Sequence, residues 1–204
     1  MNKILYAFAL AGVLGLSSCS DFLDQTSPSE MTAENTYASP YYTNLRVNKL
    51  YGGMAQDRTY AQDLSIVWNL NSDCELIDGL GSNATNTSSE RGNMNYNMDP
   101  GWSKISGVWD AEYGIIEDAN QIIEGIRSSA TLTAGGANQK SMERSLGEAL
   151  TIRAMVYFDL VRIFGDIPFK VEASKSDLSN AYLEKTDRDV ICLLYTSPSP
   201  RDTR

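Results

Sequence analysis

The chain has 204 residues, 42% of them hydrophobic, and carries 17 Lys+Arg against 26 Asp+Glu for a net charge of −9. Lys3, Arg201, Arg204 and Asp202 lie in the two ends set aside below, so the body is more acidic still, and an acidic body repels nucleic-acid phosphates. Histidine is absent, which removes a Ser-His-Asp or Cys-His nucleophile, an H-E-x-x-H zinc site and a histidine general base; no G-x-G-x-x-G and no P-loop is present either, and no cofactor or metal is expected.

The first eighteen residues read as an address. Asn2 and Lys3 form a short positive n-region, and Ile4 to Leu16 is apolar. At about 13 residues this run is too short to span a bilayer, which takes roughly 20. It ends Leu16-Ser17-Ser18-Cys19, the pattern cleaved and diacylated by the bacterial lipoprotein pathway. Residues 1–18 are therefore expected to be a lipoprotein signal peptide, Cys19 the lipidated residue, and 19–34 a polar tether. Two or three acyl chains would hold the protein firmly, whereas one gives only marginal binding.

The body, 35–191, reads as helical. Ser39-Pro40 places a capping residue before a proline at the first helical position, and predicts a helix carrying Tyr41, Leu45, Leu50 and Tyr51 towards Gly52-Gly53. A short apolar piece follows around Leu64, Val67 and Trp68. From Asn71 to Gly107 no period is visible, and a loop of that length is usually functional or disordered. Trp109, Tyr113, Ile116, Asn120 and Ile123, with Ile115, Ala119, Ile122 and Ile126 beside them, predict a helix over about Trp109 to Ile126 with a broad core-facing stripe. Asn120 lies on that stripe, where an amide needs partners, and is expected to be a satisfied structural hydrogen-bonder. Ser128 to Asn138 reads as a connection. A second helix, about Lys140 to Phe164, is apolar over more than half its circumference, and Gly165 followed by Pro168 ends it. Two helices joined by a Gly-rich turn, with starts separated by about 34 residues, fit a tetratricopeptide-like geometry.

Isolated charges and cysteines have bland readings. Asp110 with Glu112 and Glu117 with Asp118 read as solvated faces, since adjacent acids on a helix point in different directions. Glu148, Arg153, Arg162 and Asp166 are expected in local ion pairs or caps. Cys74 reads as a small buried apolar residue. Cys192-Leu193-Leu194-Tyr195-Thr196-Ser197-Pro198-Ser199-Pro200-Arg201-Asp202 back-translates to a widely used transposase sequencing adapter. Residues 192–204 are therefore expected to be non-native, and the body to be the N-terminal part of a longer helical domain.

One stretch carries a resemblance. Residues 147–168, from Gly147-Glu148-Ala149 through Arg153-Ala154, Tyr157-Phe158, Leu160-Val161-Arg162 and Phe164-Gly165-Asp166 to Pro168, resemble the G-E-A-x-x-x-R-A-x-x-Y-F-x-L-V-R-x-F-G-D-x-P signature of the SusD/RagB family. Trp109, Tyr113, Ile116, Ala119, Asn120 and Ile123 are similar to that family's W-x-x-x-Y-x-x-I-x-x-A-N-x-I/V segment. Cys19-Ser20-Asp21-Phe22-Leu23-Asp24 with Pro28 resembles its lipidated N-terminus, and Thr186-x-Arg188 the start of its next block. The resemblance implies an all-α, tetratricopeptide-like helical repeat scaffold with long irregular ligand-binding loops. It also implies a surface lipoprotein of the outer membrane that captures glycans, or peptides in the RagB branch, and passes them without cleavage to a SusC-like TonB-dependent transporter. Within the Asn71 to Gly107 loop, Asp73, Arg91, Tyr96 and Trp102 are the expected ligand contacts, chosen by chemistry and position.

Overall fold

The computed structural model describes residues 32–69, 72–74, 93, 98–175, 178–179 and 181–196. The chain divides into two units, Met1–Thr32 and Ala33–Arg204, and every element below belongs to the second. Cys19 and most of the expected tether lie outside the described residues. The elements are α1 (Ala33–Ala38), α2 (Pro40–Met54), α3 (Asp63–Asn69), α4 (Ser103–Ser128), a 3-10 turn (Ala130–Thr133), α5 (Gly136–Phe164), β1 (Ile167–Pro168), β2 (Lys185–Thr186) and α6 (Arg188–Thr196). The all-α expectation holds, the one sheet among the described residues being a two-stranded antiparallel pair, Ile167 opposite Thr186 and Pro168 opposite Lys185.

Two long helices make the frame. In α4 the buried positions Ile105, Val108, Glu112, Ile115, Ile116, Ala119, Ile122, Ile123 and Ile126 recur every three or four residues, so one broad stripe faces α5. In α5 the matching face is Met142, Leu146, Ala149, Ile152, Val156, Tyr157, Leu160 and Val161. Helix α2 starts where Ser39-Pro40 predicts and buries Val47 and Leu50 against both. It runs through Gly52-Gly53 to Met54, with Gly53 lying close against Ile115 of α4. Near α1, Gly125 lies so close to the Tyr37 ring that a Cβ there would meet it at 2.1 Å; glycine is what lets α1 dock on α4. Gly135 and Gly165 sit at φ 80° and 74°, left-handed conformations that open and close α5 at little cost for glycine.

Helix α4 begins six residues before Trp109, a correction to the expected boundary. Its start is organised by Asp99: the Asn93 Oδ1 accepts from Asp99 N (2.7 Å), and Asp99 Oδ1 accepts from Gly101 N (2.7 Å) while its carbonyl accepts from Trp102 N (2.9 Å). Ser103, Ser106 and Gly107 are weak helix formers, so periodicity alone does not reveal this first turn. Ile105 and Val108 nevertheless extend the same stripe.

The segment after Gly165 lies across α4 and α5 as an extended strap; after its β1–β2 pairing its backbone is gripped by side chains. Tyr113 Oη donates to Pro168 O (2.7 Å). Tyr157 Oη donates to Lys170 O (2.7 Å) and accepts from Lys170 N (2.8 Å). Asn120 Nδ2 donates to Lys170 O (3.0 Å) and Glu172 O (3.2 Å). Arg153 Nη1 donates to Asn120 Oδ1 (2.7 Å) and Val171 O (3.0 Å). Glu117 accepts from Lys170 Nζ (3.2 Å) and from both the N–H and the hydroxyl of Ser174 (each 2.9 Å). These bonds supply partners that a lone strand cannot find in a sheet. Asn120 is thus the satisfied hydrogen-bonder its place on the stripe implied. Arg153 is not a local ion pair as expected: it is 5% exposed and reaches across to the strap, since its own helix face offers no acid.

Other bland readings split. Glu148 does pair with Arg144 one turn away (2.9 Å). Asp166 does not pair with Arg162; it accepts from Arg188 N (3.1 Å), joining the strap to α6. Glu117 and Asp118 are spoken for by Lys170 and Lys49. Glu112 is 0% exposed, not a solvated face, because it sits on the stripe between Val108 and Ile115. Cys74 is exposed, not buried: Ser72 bonds back to Asn69 O at the end of α3, turning the chain outward. Helix α6 buries Ile191 fully in the core, and Cys192 packs partly buried against it. Among the described residues no helix is long and apolar enough to cross a membrane.

Candidate functional site

The exposed surface where α3 meets α5 gathers aromatic rings around one guanidinium. Helix α3 is short because Asn69, Ser72 and the residues after them leave it, yet it is firmly set. Leu64 and Val67 are buried, and Asp63 pairs with Lys104 of α4 at 2.7 Å with both side chains largely covered. The turn leading into α3 wraps around Thr59, whose hydroxyl lies within 2.9 Å of the carbonyls of Gly53, Met54 and Gln56. That turn delivers the Tyr60 ring edge-on to Trp68, 6.2 Å between centroids and 76° between planes.

On α5, Met155, Phe158 and Arg162 are three and four residues apart and so share one face. Met155 and Phe158 are 43% and 45% exposed. The Arg162 guanidinium lies 4.7 Å from the Trp68 ring centroid and 5.2 Å from that of Phe158. Each contact is an attractive cation–π geometry. The three side chains form a ledge with an apolar ring face and an arginine whose N–H groups hydrogen-bond to no described residue.

Behind the ledge two carboxyl groups are buried together. Tyr60 Oη donates to Asp159 Oδ2, and Asp159 is 2% exposed. Glu112 faces the same space, and neither of its oxygens has a hydrogen-bond partner. Burial, and then the charge of Asp159, pushes the Glu112 carboxyl up to about 9. Burial also raises Asp159, to about 6, against the opposing pull of the Tyr60 hydrogen bond and the Arg162 charge. Between those values the pair carries a single negative charge, on Asp159. Burial and the adjoining Asp159 lift the Tyr60 phenol well above its ordinary range.

The expected ligand contacts fall differently. Asp73 is exposed beside Cys74. Arg91 and Tyr96 lie outside the described residues. Trp102 is 9% exposed and packs with Val67 and Ile105, while Trp68 packs against that cluster from above; its place is beneath the ledge, as a support. Trp68, Phe158 and Arg162 were visible in the sequence only as apolar or signature positions, and no spacing rule links residue 68 to residue 162. Among the described residues no group of three or more Cys, Asp and Glu could hold a metal ion. A shallow, open cavity of about 980 Å³ runs between the end of α4 and the strap, past Asn120, Arg127 and Glu172, but it presents no aromatic ring.

The comparisons agree with the fold. A SusD-like family model, described as starch-binding and associating with the outer membrane, matches residues 21–192. SusD-like protein P2 of Formosa agariphila is 28% identical over 180 residues, 88% of this chain and 33% of the relative. SusD-like protein P25 of the same organism is 23% identical over 199 residues, 93% of this chain and 35% of the relative. The chain thus spans about a third of the length of these curated relatives. Among solved structures, a SusD homologue from Bacteroides thetaiotaomicron superposes with a TM-score of 0.70 at 21% identity, covering 81% of this chain and 30% of that one. A SusD-like protein from Bacteroides fragilis gives 0.59 at 17%, covering 81% and 29%. With the family match running from the residues after Cys19 through the strap to α6, the chain belongs to the SusD-like family.

Proposed function

We propose that the protein captures glycans at the cell surface and passes them, uncleaved, to a SusC-like TonB-dependent transporter, while lipid on Cys19 holds it on the outer membrane. The observation that carries this reading is the match of residues 21–192 to a starch-binding, outer-membrane-associated family. The ledge supplies suitable chemistry: a half-exposed ring for the apolar face of a sugar, and guanidinium donors for its hydroxyls. Behind the ledge, Glu112 and Asp159 are buried, so this pair does not flank a glycosidic bond in solvent.

The test is native affinity electrophoresis through gels containing starch and a panel of other polysaccharides, with the same mixtures assayed for new reducing ends. Retardation by at least one polysaccharide with no reducing ends is the expected result. Migration unchanged in every gel would remove glycan capture, and released reducing ends would make the protein a hydrolase. Anchoring is read separately by feeding cells a palmitate analogue, which should label the protein at Cys19; unlabelled protein would contradict the lipid.

A further inference from the structure

The ledge holds its shape through contacts that lead inward. Trp68 is met edge-on by Tyr60, Tyr60 donates to Asp159, and Asp159 stands on α5 between Phe158 and the next-turn Arg162. Arg162 in turn lies over both Trp68 and Phe158. Phe158, Met155 and Arg162 are thus neighbours of Asp159 or one helical turn from it, and Trp68 is linked to it through Tyr60. The Asp63–Lys104 pair separately fixes α3 to α4.

We propose that Asp159 is the positioning residue of the ledge: its carboxylate fixes Trp68 through Tyr60 and holds Arg162 over the two rings, with Glu112 buried behind it. This rests on the reading of the ledge as a glycan contact. The groups around Asp159 are few. From α4 comes Glu112, from the turn before α3 comes Tyr60, from α5 itself comes Arg162, and from α3 the nearest charge is Asp63, already paired with Lys104. Among the described residues no lysine or arginine forms an ion pair with Glu112 or Asp159, so nothing else balances the carboxylate. An uncompensated buried charge costs stability. Keeping one here is explicable if its work is to orient the cation above it.

The sign of the pH response follows. As pH falls through about 6, Asp159 gains a proton; Tyr60 loses a charged acceptor and Arg162 loses the charge that faces it. Glycan binding therefore weakens on acidification through that window, and Asp159→Asn abolishes the response because the amide has no proton to gain.

The experiment compares the wild-type protein with Asp159→Asn in affinity gels at about pH 7.5 and about pH 5, using the polysaccharide that retards the wild type most. In parallel, the Trp68 indole N–H resonance, assigned by Trp68→Phe among three tryptophans, is followed through the same range without ligand. The expected results are wild-type binding weakened about threefold to tenfold by acidification, roughly one hydrogen bond's worth, and a Trp68 resonance that titrates with a midpoint near 6. In Asp159→Asn the affinity is already weakened at the higher pH, and both responses are flat. A variant that binds like wild type at both pH values, or a Trp68 resonance that titrates equally in both proteins, overturns the inference. If no polysaccharide retards the wild type, the glycan reading fails, and the indole titration alone decides whether Asp159 positions Trp68.

Discussion

Replacing Asn120 by alanine is expected to lower the unfolding free energy by about 3–5 kcal/mol, a large part of what a domain possesses. Three bonds meet on this amide: it donates to Lys170 O and Glu172 O and accepts from Arg153. At about 1 kcal/mol for each neutral bond and about 2 for the one from a charged donor, the direct loss is about 4 kcal/mol. Arg153 is 5% exposed and would keep only Val171 O as a partner for that nitrogen. A buried guanidinium deprived of a partner is costlier than the bond it lost. Urea denaturation at neutral pH reads the effect as a lowered midpoint with unchanged slope. A loss below about 1 kcal/mol would mean that the strap is held by its ends alone, and that the side chains beneath it are incidental.

Stability is expected to fall as pH rises from about 5 to about 9, and Glu112→Gln should remove most of that fall. Glu112 titrates near the ordinary carboxyl value of 4.5 when unfolded, but only at about 9 in the fold, raised by burial and then by Asp159. For a raised carboxyl, the contribution is fully present below the unfolded value, declines through the window between the two, and is gone once the folded value is passed. Asp159, raised to about 6, adds to the early part of the decline in the same direction. Glu117 works the other way. Burial raises it, but the N–H and hydroxyl of Ser174, with Gln121 and Lys170, outweigh that and leave it lowered, so acidification below its unfolded range costs stability. Water entry and relaxation of the surroundings soften the cost of ionising Glu112 in the fold, and a difference of about 2–5 kcal/mol between acidic and alkaline ends is expected. Glutamine mimics the neutral acid in shape, so the variant should match wild type near pH 5 and exceed it near pH 9. Parallel declines in both proteins would place the titrating group elsewhere.

The fold was legible where side chains repeat along one helix. Ile115, Ile116, Ala119, Ile122 and Ile123 mark the stripe of α4, and Gly165 before Pro168 marks the end of α5. The strap was half legible. Asn120 on an apolar stripe announces that some polar partner exists, but not that it is the backbone of residues 170 and 172. The polar members of the family-like stretches, Tyr113, Asn120, Arg153 and Tyr157, prove to be the residues that grip that backbone. Together they dock an extended chain on a helical hairpin.

Glu112 shows the opposite failure. Period three and four from Val108 to Ile115 and Ile116 already puts residue 112 on the buried stripe. Its pairing with Asp110 in sequence suggested a solvated face, although the two side chains point apart. The ledge was not legible at all, because Trp68 and Arg162 meet only through the packing of α3 on α4 and α5. A basic residue four positions before an acid looked like a helix-end pair, whereas two aromatic rings captured Arg162 first. Trp102 was singled out as a ring in a loop, yet the Asp99 turn folds it under α3, where burying an indole is worth more than displaying it.

The most direct test of glycan capture at the ledge is hydroxyl-radical footprinting of the protein with and without soluble starch, or with whichever polysaccharide retards it most. Phe158, Met155 and Trp68 should be oxidised several-fold more slowly when the glycan is bound. Tyr41 and Tyr182, which are 67% and 96% exposed and far along the chain from the ledge, should be unaffected and serve as internal controls. Protection of those tyrosines with Phe158, Met155 and Trp68 unchanged would contradict the ledge as the place where the glycan is held.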